Sequence, residues 1–320
     1  MTAGSITDVG GLTVGHASLP EAGTGCTVFL FDPAVPAGMD IGGGGAGLRN
    51  VEEVRGHHVV GAIDALLFAG GSAFGLGATD GVMAYLEERG IGFATPAGPV
   101  PIVPTAILYD LGFGRADIRP DPALARAACE AASGDAPAEG SVGAGTGATV
   151  GKASGMEWAT KGGFGTASRS DADGLTVGAA VCVNALGEVR DPVSGVTLAG
   201  VRAASGGFRD ARRLLASPEA DPGSTHTTLA LVATNARFDR ESLGRVARIA
   251  ADAYARTIHP VHTTWDGDVI FAVSTGDHSA PLDRVAAQAT AALETAILRA
   301  ITQADGLGRL PAHRDLTDSG

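Results

Sequence analysis

The stretch Thr225-His226-Thr227-Thr228-Leu229-Ala230-Leu231-Val232-Ala233-Thr234-Asn235 (THTTLALVATN) decides how this chain is read. A polar segment, Ala216–His226 (ASPEADPGSTH), runs directly into two threonines and then into an apolar run. Pro218, Pro222 and Gly223 mark the first part as an exposed loop. The apolar run Thr228–Ala233 reads as a buried strand. Taken alone, the two threonines need no further explanation, because β-branched residues favour strand starts. A second feature shifts the balance. Asp266-Gly267-Asp268 also stands at the entrance of an apolar strand, Val269–Ser274. Two carboxylates there are costly unless they are hydrogen-bonded, paired or functional. A hydroxyl nucleophile needs a base nearby, and an N-terminal threonine carries one in its own α-amine.

Around this pair of strand entrances the chain alternates short apolar runs with glycine turns. Leu12–Val14, Cys26–Phe31 and Ala65–Phe68 read as strands. After Phe68, Ala69–Gly77 (AGGSAFGLG) is a glycine turn leading into a helix that runs to Glu88 and stops at Gly90. A second helix starts at Asp121 with Pro122 in its first position and ends near Gly134. The block Gly140–Gly151 is too apolar for a flexible linker. Strands follow over Leu175–Asn184 and Val189–Leu198, then a helical segment over Phe208–Leu215. Beyond Thr228–Ala233 come a helix over about Arg240–Thr257, the strand Val269–Ser274, and a long helix Pro281–Ala304 capped by Ser279 or Asp283. Interleaved strands and helices give an α/β or layered α+β domain.

Composition narrows the function. At 320 residues, 45% of them hydrophobic, the chain can bury a sizeable core. Its 48 glycines follow no Gly-X-Y period and point to tight turns and close-packed strands. A net charge of −12 with no basic stripe argues against nucleic-acid partners. Cys26, Cys129 and Cys182 are too few and too scattered for a disulfide framework or a zinc site, and Cys182 reads as a buried small hydrophobe. Met1–Gly10 lacks a signal-peptide pattern, and no stretch approaches the ~20 apolar residues of a membrane span, so a cytoplasmic protein with no membrane partner is expected.

Several short motifs fail on their context. Gly42–Gly47 formally satisfies G-x-G-x-x-G, but no parallel βαβ unit surrounds it, and close backbone packing is the better reading. Gly151-Lys152 lacks the leading glycine and the closing Ser/Thr of a P-loop, and Ser72 lacks a nucleophile elbow. His57-His58 and His259–His262 read as loop or surface histidines, since Pro260 interrupts the helical spacing a zinc pair needs. No metal and no cofactor is expected.

Seven ordered stretches carry a wider resemblance. They are Ile6–His16 (ITDVGGLTVGH), Phe68–Leu76 (FAGGSAFGL), Ala106–Gly112 (AILYDLG), Gly143–Lys152 (GAGTGATVGK), Val183–Gly187 (VNALG), His226–Ala236 (HTTLALVATNA) and His262–Gly276 (HTTWDGDVIFAVSTG). Over nearly its whole length the chain resembles the DmpA/β-aminopeptidase family, and within it the Thr-nucleophile branch that includes the 6-aminohexanoate-oligomer hydrolases.

The resemblance implies one αββα domain, similar to Ntn hydrolases, made as a single chain and self-cleaved between His226 and Thr227 into pieces 1–226 and 227–320. It places the nucleophile at Thr227, the acidic pair at Asp266 and Asp268, and the further site residues at Lys152, Asn184 and Tyr109. Lys161, in TKGGFGT, matches a lysine motif of the aminopeptidase branch and is the rival for the lysine role. Most relatives have Asn or Gly before the nucleophile, where this chain has His226.

The expected activity is hydrolysis of small peptides, amino-acid amides or amide oligomers by a homo-oligomer, a tetramer of αβ units. In the expected mechanism Asp266 and Asp268 orient the amine and hydroxyl of Thr227, and Asn184 with backbone N–H groups holds the oxyanion. Tyr109 places substrate or stabilises charge. Two other readings stay open at this point: an acyltransferase of the ornithine-acetyltransferase type, and a binding relative that never cleaves.

Overall fold

The computed structural model describes residues 4–56, 58–217 and 226–317. The loop expected over Ala216–His226 falls, from 218 to 225, outside the described residues, as does His57.

Two five-stranded sheets form the centre. The first has the order Leu12–Leu19, Thr24–Val35, Ile63–Ala69, Thr105–Ile107, Gly47–Arg49. The second has the order Gly163–Ser170, Thr176–Asn184, Thr227–Ala236, Val269–His278, Ala37–Ile41. Within it, Thr227–Ala236 runs antiparallel to Thr176–Asn184, with Asn184 opposite Thr227, and parallel to Val269–His278. The THTTLALVATN segment is therefore the middle strand of its sheet, which is why its apolar residues form an unbroken run.

Strand alternation divides those residues between two cores. Leu229, Leu231 and Ala233 face the other sheet and join Phe29, Phe68 and Phe271. Ala230 and Val232 face outward and meet Val246, Leu293 and Ile297, from the helices Arg240–Ala250 and Leu282–Thr302. On the far side, Thr79–Glu87 and Pro122–Glu130 cover the first sheet through Val82, Leu86, Ala125 and Ala128. The result is an αββα sandwich. Each large apolar side chain buried in these layers contributes about 1.5–3 kcal/mol. The three cysteines are unpaired and buried, with Cys182 between the sheets.

The structure refines several boundaries. The long helix begins at Leu282 after an extended Pro281, with no side-chain cap, so neither Ser279 nor Asp283 caps it. The helix expected over Arg240–Thr257 divides at Ala251, where Tyr254 N–H bonds three residues back and tightens the turn. Phe208–Arg209 is a short strand, and the helix after it starts only at Ala211, capped by Asp210. Val189–Leu198 resolves into two short strands, Glu188–Arg190 and Thr197–Ala199.

The glycine block at Gly42–Gly45 serves close packing. Gly45 N–H donates to Asp266 O at 2.8 Å. A Cβ on Gly43 would lie 2.0 Å from that same oxygen. Among the described residues, no helix is long and apolar enough to cross a membrane, and no group of three or more His, Cys, Asp or Glu side chains is placed to hold a metal ion.

Candidate active site

The first residue of the central strand lies at an open end of the sandwich. Thr227 shares the inter-sheet face with Leu229, and together with His226, Tyr109, Ile107, Ser72 and Trp265 it lines a cavity of about 270 Å³. Alternation sends Thr228 the other way. Its hydroxyl is fully buried and has no hydrogen-bond partner among the described residues.

The bond between His226 and Thr227 is held in an unusual manner. Thr227 Oγ1 donates to His226 O, the carbonyl of the preceding residue, at 2.5 Å. Gly267 N–H donates to the same oxygen at 2.8 Å. Glycine at 267 leaves room for that hydroxyl, because a Cβ would stand 2.9 Å from Thr227 Oγ1 and 3.1 Å from Gly45 O. His226 and Asp266 form a parallel bridge that sets this register.

Opposite Thr227, Asn184 is fully buried. Its Oδ1 accepts from Lys152 Nζ at 2.9 Å and from Thr149 N–H at 3.0 Å, and its Nδ2 donates to Tyr109 O at 3.1 Å. Lys152 Nζ also donates to Asn184 O at 2.8 Å and to Thr149 O at 3.0 Å. All three protons of an ammonium are thus committed to oxygens. Burial pulls the Lys152 amine down to about 7, against the opposing pull of Asp266.

The carboxylates flank the strand entrance. Asp266 Oδ2 accepts from Thr263 N–H at 2.9 Å and from Thr263 Oγ1 at 2.6 Å. Burial, and then the neighbouring Asp268, raise the Asp266 carboxyl above the ordinary range. Asp268 Oδ1 accepts from Thr228 N–H at 2.8 Å, and its Oδ2 accepts from His262 N–H at 3.1 Å and bonds His262 Nδ1 at 3.0 Å. The carboxylate of Asp268 therefore meets the strand one residue beyond Thr227, at the backbone of Thr228.

The two lysines separate in space. Lys161 Nζ donates to the carbonyls of Gly145, Ala148 and Gly162 at 3.0, 2.9 and 2.8 Å and faces the Phe113 ring at 5.2 Å. Its electrostatic partner is Asp110, whose carboxylate accepts from Thr24 and Gly71. Of the two, Lys152 is the one bonded to Asn184.

The sequence model of peptidase family S58 matches residues 4–313. The chain belongs to peptidase family S58. It is 39% identical to an uncharacterized aminopeptidase of Mycobacterium tuberculosis, covering 98% of this chain and 97% of that protein. It is 31% identical to a 6-aminohexanoate-oligomer endohydrolase of Kocuria sp., covering 86% of this chain and 76% of the relative. Among solved structures, a Burkholderia sp. β-aminopeptidase superposes with a TM-score of 0.74 at 24% identity, over 99% of this chain and 94% of the other. The L-aminopeptidase D-Ala-esterase/amidase of Ochrobactrum anthropi, described as a variant of the Ntn hydrolase fold, superposes with a TM-score of 0.73 at 20% identity, over the same shares. The S58 chain is a hydrolase of amide bonds with an Ntn-hydrolase-like α+β fold.

Three residues of this S58 site were not singled out from the sequence as site residues. Gly267 appeared only as the spacer of the acidic pair. Its signal was positional, since a glycine between two buried acids leaves room for an atom that a side chain would exclude. His262 was expected in a loop or at the surface. It lies in a loop, half-buried with its ring on Asp268, where the loop turns back at φ +56 and brings the ring to the carboxylate. A buried acid that needs a donor, six residues from a histidine, was the available clue. Tyr254 bonds the carbonyls of Thr228 and Val269 at 3.3 and 3.2 Å and ties the two parallel strands together.

Proposed function

We propose that this chain cleaves its own His226–Thr227 bond, and that the freed Thr227 is the nucleophile of an amide hydrolase acting on small peptides, amino-acid amides or amide oligomers. The observation that carries the reading is the arrangement at the His226 carbonyl, with Thr227 Oγ1 at 2.5 Å on one side and Gly267 N–H at 2.8 Å on the other. Attack by Oγ on the carbonyl carbon closes a five-membered ring and drives charge onto an oxygen that already has a donor. The C–N bond then breaks, the threonine nitrogen leaves with a proton, and water hydrolyses the resulting ester. The products are a His226 carboxylate and an N-terminal Thr227.

In the mature enzyme the α-amine of Thr227 accepts the Oγ proton as Oγ attacks a substrate amide. The substrate oxygen takes the place of His226 O beside Gly267 N–H, the leaving amine takes up the proton, and water releases the acyl group. Asn184 and Lys152 hold one side of Thr227, while Asp268, through Thr228 N–H, holds the other. Tyr109 forms the cavity wall that receives the acyl group. An α-amine ordinarily titrates near about 7.7–8.0, so activity should fall at low pH as that amine becomes protonated.

A homotetramer of αβ units in the cytoplasm is the assembly and location in keeping with the family resemblance, and both belong to this proposal. The pieces 1–226 and 227–320 should stay together, because Leu229, Leu231 and Phe271 of the second piece pack against Phe29 and Phe68 of the first. The test is the intact mass of the purified protein, beside native sizing. Two masses that join at His226–Thr227 in one native particle are expected. Thr227→Ala should give one intact, inactive chain, whereas Thr228→Ala should still be cut. The reverse pattern would move the nucleophile to Thr228.

A further inference from the structure

His262 has a built place in this site and no role so far. Its ring presses on the backbone of Gly42, where a Cβ would come within 2.2 Å of Nδ1 and 2.4 Å of Cε1. Tyr254, from the helix Asp252–Thr257, lies on it with ring centroids 5.9 Å apart. Held in that slot, His262 brings its backbone N–H and its Nδ1 onto the same oxygen, Asp268 Oδ2, at 3.1 and 3.0 Å. A carboxylate can only accept, so the ring carries its proton on Nδ1. The other carboxylate oxygen takes Thr228 N–H at 2.8 Å. Asp268 is thereby clamped from one side by His262 and on the other fixes the second residue of the nucleophile strand.

The surroundings favour a firm clamp. The acids facing the ring are Asp268 and Asp266 beside the strand entrance and Asp40 from the strand Ala37–Ile41. The hydrogen bond to Asp268, against the effect of burial, holds the imidazole above the ordinary histidine value.

We propose that His262 is a positioning residue: through Asp268 and the Thr228 N–H it fixes where Thr227 Oγ stands relative to the carbonyl it attacks, without itself touching substrate. A displaced nucleophile slows the chemical step more than it weakens binding, so kcat and KM should respond differently.

This inference rests on Thr227 being the nucleophile, so rates are expressed per chain with Thr227 at its N-terminus, counted by mass. The informative pair is His262→Asn and His262→Gln. The Asn amide can place its NH2 where Nδ1 stood, whereas the Gln amide reaches past it toward the position of Nε2. Loss of a hydrogen bond to a charged group corresponds to about a 10- to 100-fold change. His262→Gln should therefore lower kcat by about 10- to 100-fold with KM within about threefold, while His262→Asn stays within about threefold of wild type on both. Thermal denaturation and native sizing establish that both variants fold. Equal kcat for the two variants, whether both normal or both impaired, overturns the positioning role and leaves the Thr227 reading intact. Wild-type protein that is active without a new N-terminus at Thr227 overturns the Thr227 reading, and the positioning role falls with it.

Discussion

Asn184 stands opposite Thr227 in the antiparallel ladder of the second sheet, and its side-chain carbonyl accepts the Lys152 ammonium at 2.9 Å. A lysine held by three oxygens, two of them on Asn184, braces the residue that stands opposite Thr227.

Replacing Lys152 by Met keeps most of the volume and removes the donor. Asn184 O, Asn184 Oδ1 and Thr149 O would each lose their lysine donor in a buried site. A buried acceptor left without its donor costs about 1–3 kcal/mol, so with three of them kcat/KM should fall at least about tenfold. Steady-state kinetics beside intact mass checks this. Wild-type kinetics in Lys152→Met would remove this lysine from the site.

Gly267→Ala addresses the carbonyl donor. The new methyl would sit 2.9 Å from Thr227 Oγ1, closer than a Cβ normally approaches, and would push the hydroxyl or the Gly267 N–H out of line. Removing one such donor costs about 10²–10³ in rate, so self-cleavage should drop from completion to a slow process followed over days. A time course of intact mass reads it directly. Unchanged processing would show that the site accommodates the methyl and that this close spacing does not matter.

Much of this fold could be read in the sequence, for a physical reason. Strands buried on both faces, such as Thr176–Asn184 and Thr227–Ala236, carry long apolar runs, and helices with a strong stop or cap, such as Pro122–Glu130 after Asp121, declare their ends. Ala37–Ile41, Gly47–Arg49 and Thr105–Ile107 did not announce themselves. They are three to five residues long, and their pairing comes from neighbours distant in sequence. Thr227 and the acidic pair were legible as polar groups at the entrances of apolar strands. The choice of Lys152 over Lys161 came from the resemblance and not from the local residues, because both are buried lysines in glycine-rich surroundings and only the three-dimensional path of the turns separates them. His262 was obscured for the same reason, since nothing in its local sequence shows that the loop folds its ring onto Asp268.

Lys161 gives a separate test through stability. Burial pulls its amine down to about 7 in the folded protein, from 10.5 for a free lysine side chain. Between those values the unfolded chain holds a proton that the folded chain has released, so stability rises with pH across the window from about 7 to 10.5. Lys152 acts in the same sense. Asp110, pushed up to about 6 by burial, acts in the opposite sense at lower pH: the folded form keeps a proton that the unfolded form loses, and stability falls as pH rises through about 4 to 6. Urea midpoints should therefore increase from pH 7 to 9.5 in wild type, and increase less in Lys161→Met. Parallel pH dependence in the two proteins would mean that Lys161 is not charged differently on folding.

The last expectation concerns substrate range. The cavity beside Thr227 is lined by Gly44, Gly45, Ser72, Ile107, Tyr109, His226, Thr264 and Trp265, with no carboxylate, lysine or arginine among them. An acyl group entering there meets an aromatic and aliphatic wall, three hydroxyls and one imidazole, so a plain methylene chain suits it and an α-side chain meets no carboxylate, lysine or arginine. We therefore expect hydrolysis of 6-aminohexanoate oligomers alongside small peptide and amino-acid amides. Asp266 is a candidate to bind a substrate amine, but its Oδ2 already accepts two hydrogen bonds from Thr263, and burial works against its charged form. A free amino terminus should then add less than about tenfold to kcat/KM, the scale of a weak, partly screened ion pair. The comparison is between a dipeptide amide with a free amine and the same compound acetylated. Activity retained on acetylation agrees with cleavage inside an oligomer. Complete loss would mean that the free amine is required, and the chain would then be a strict aminopeptidase.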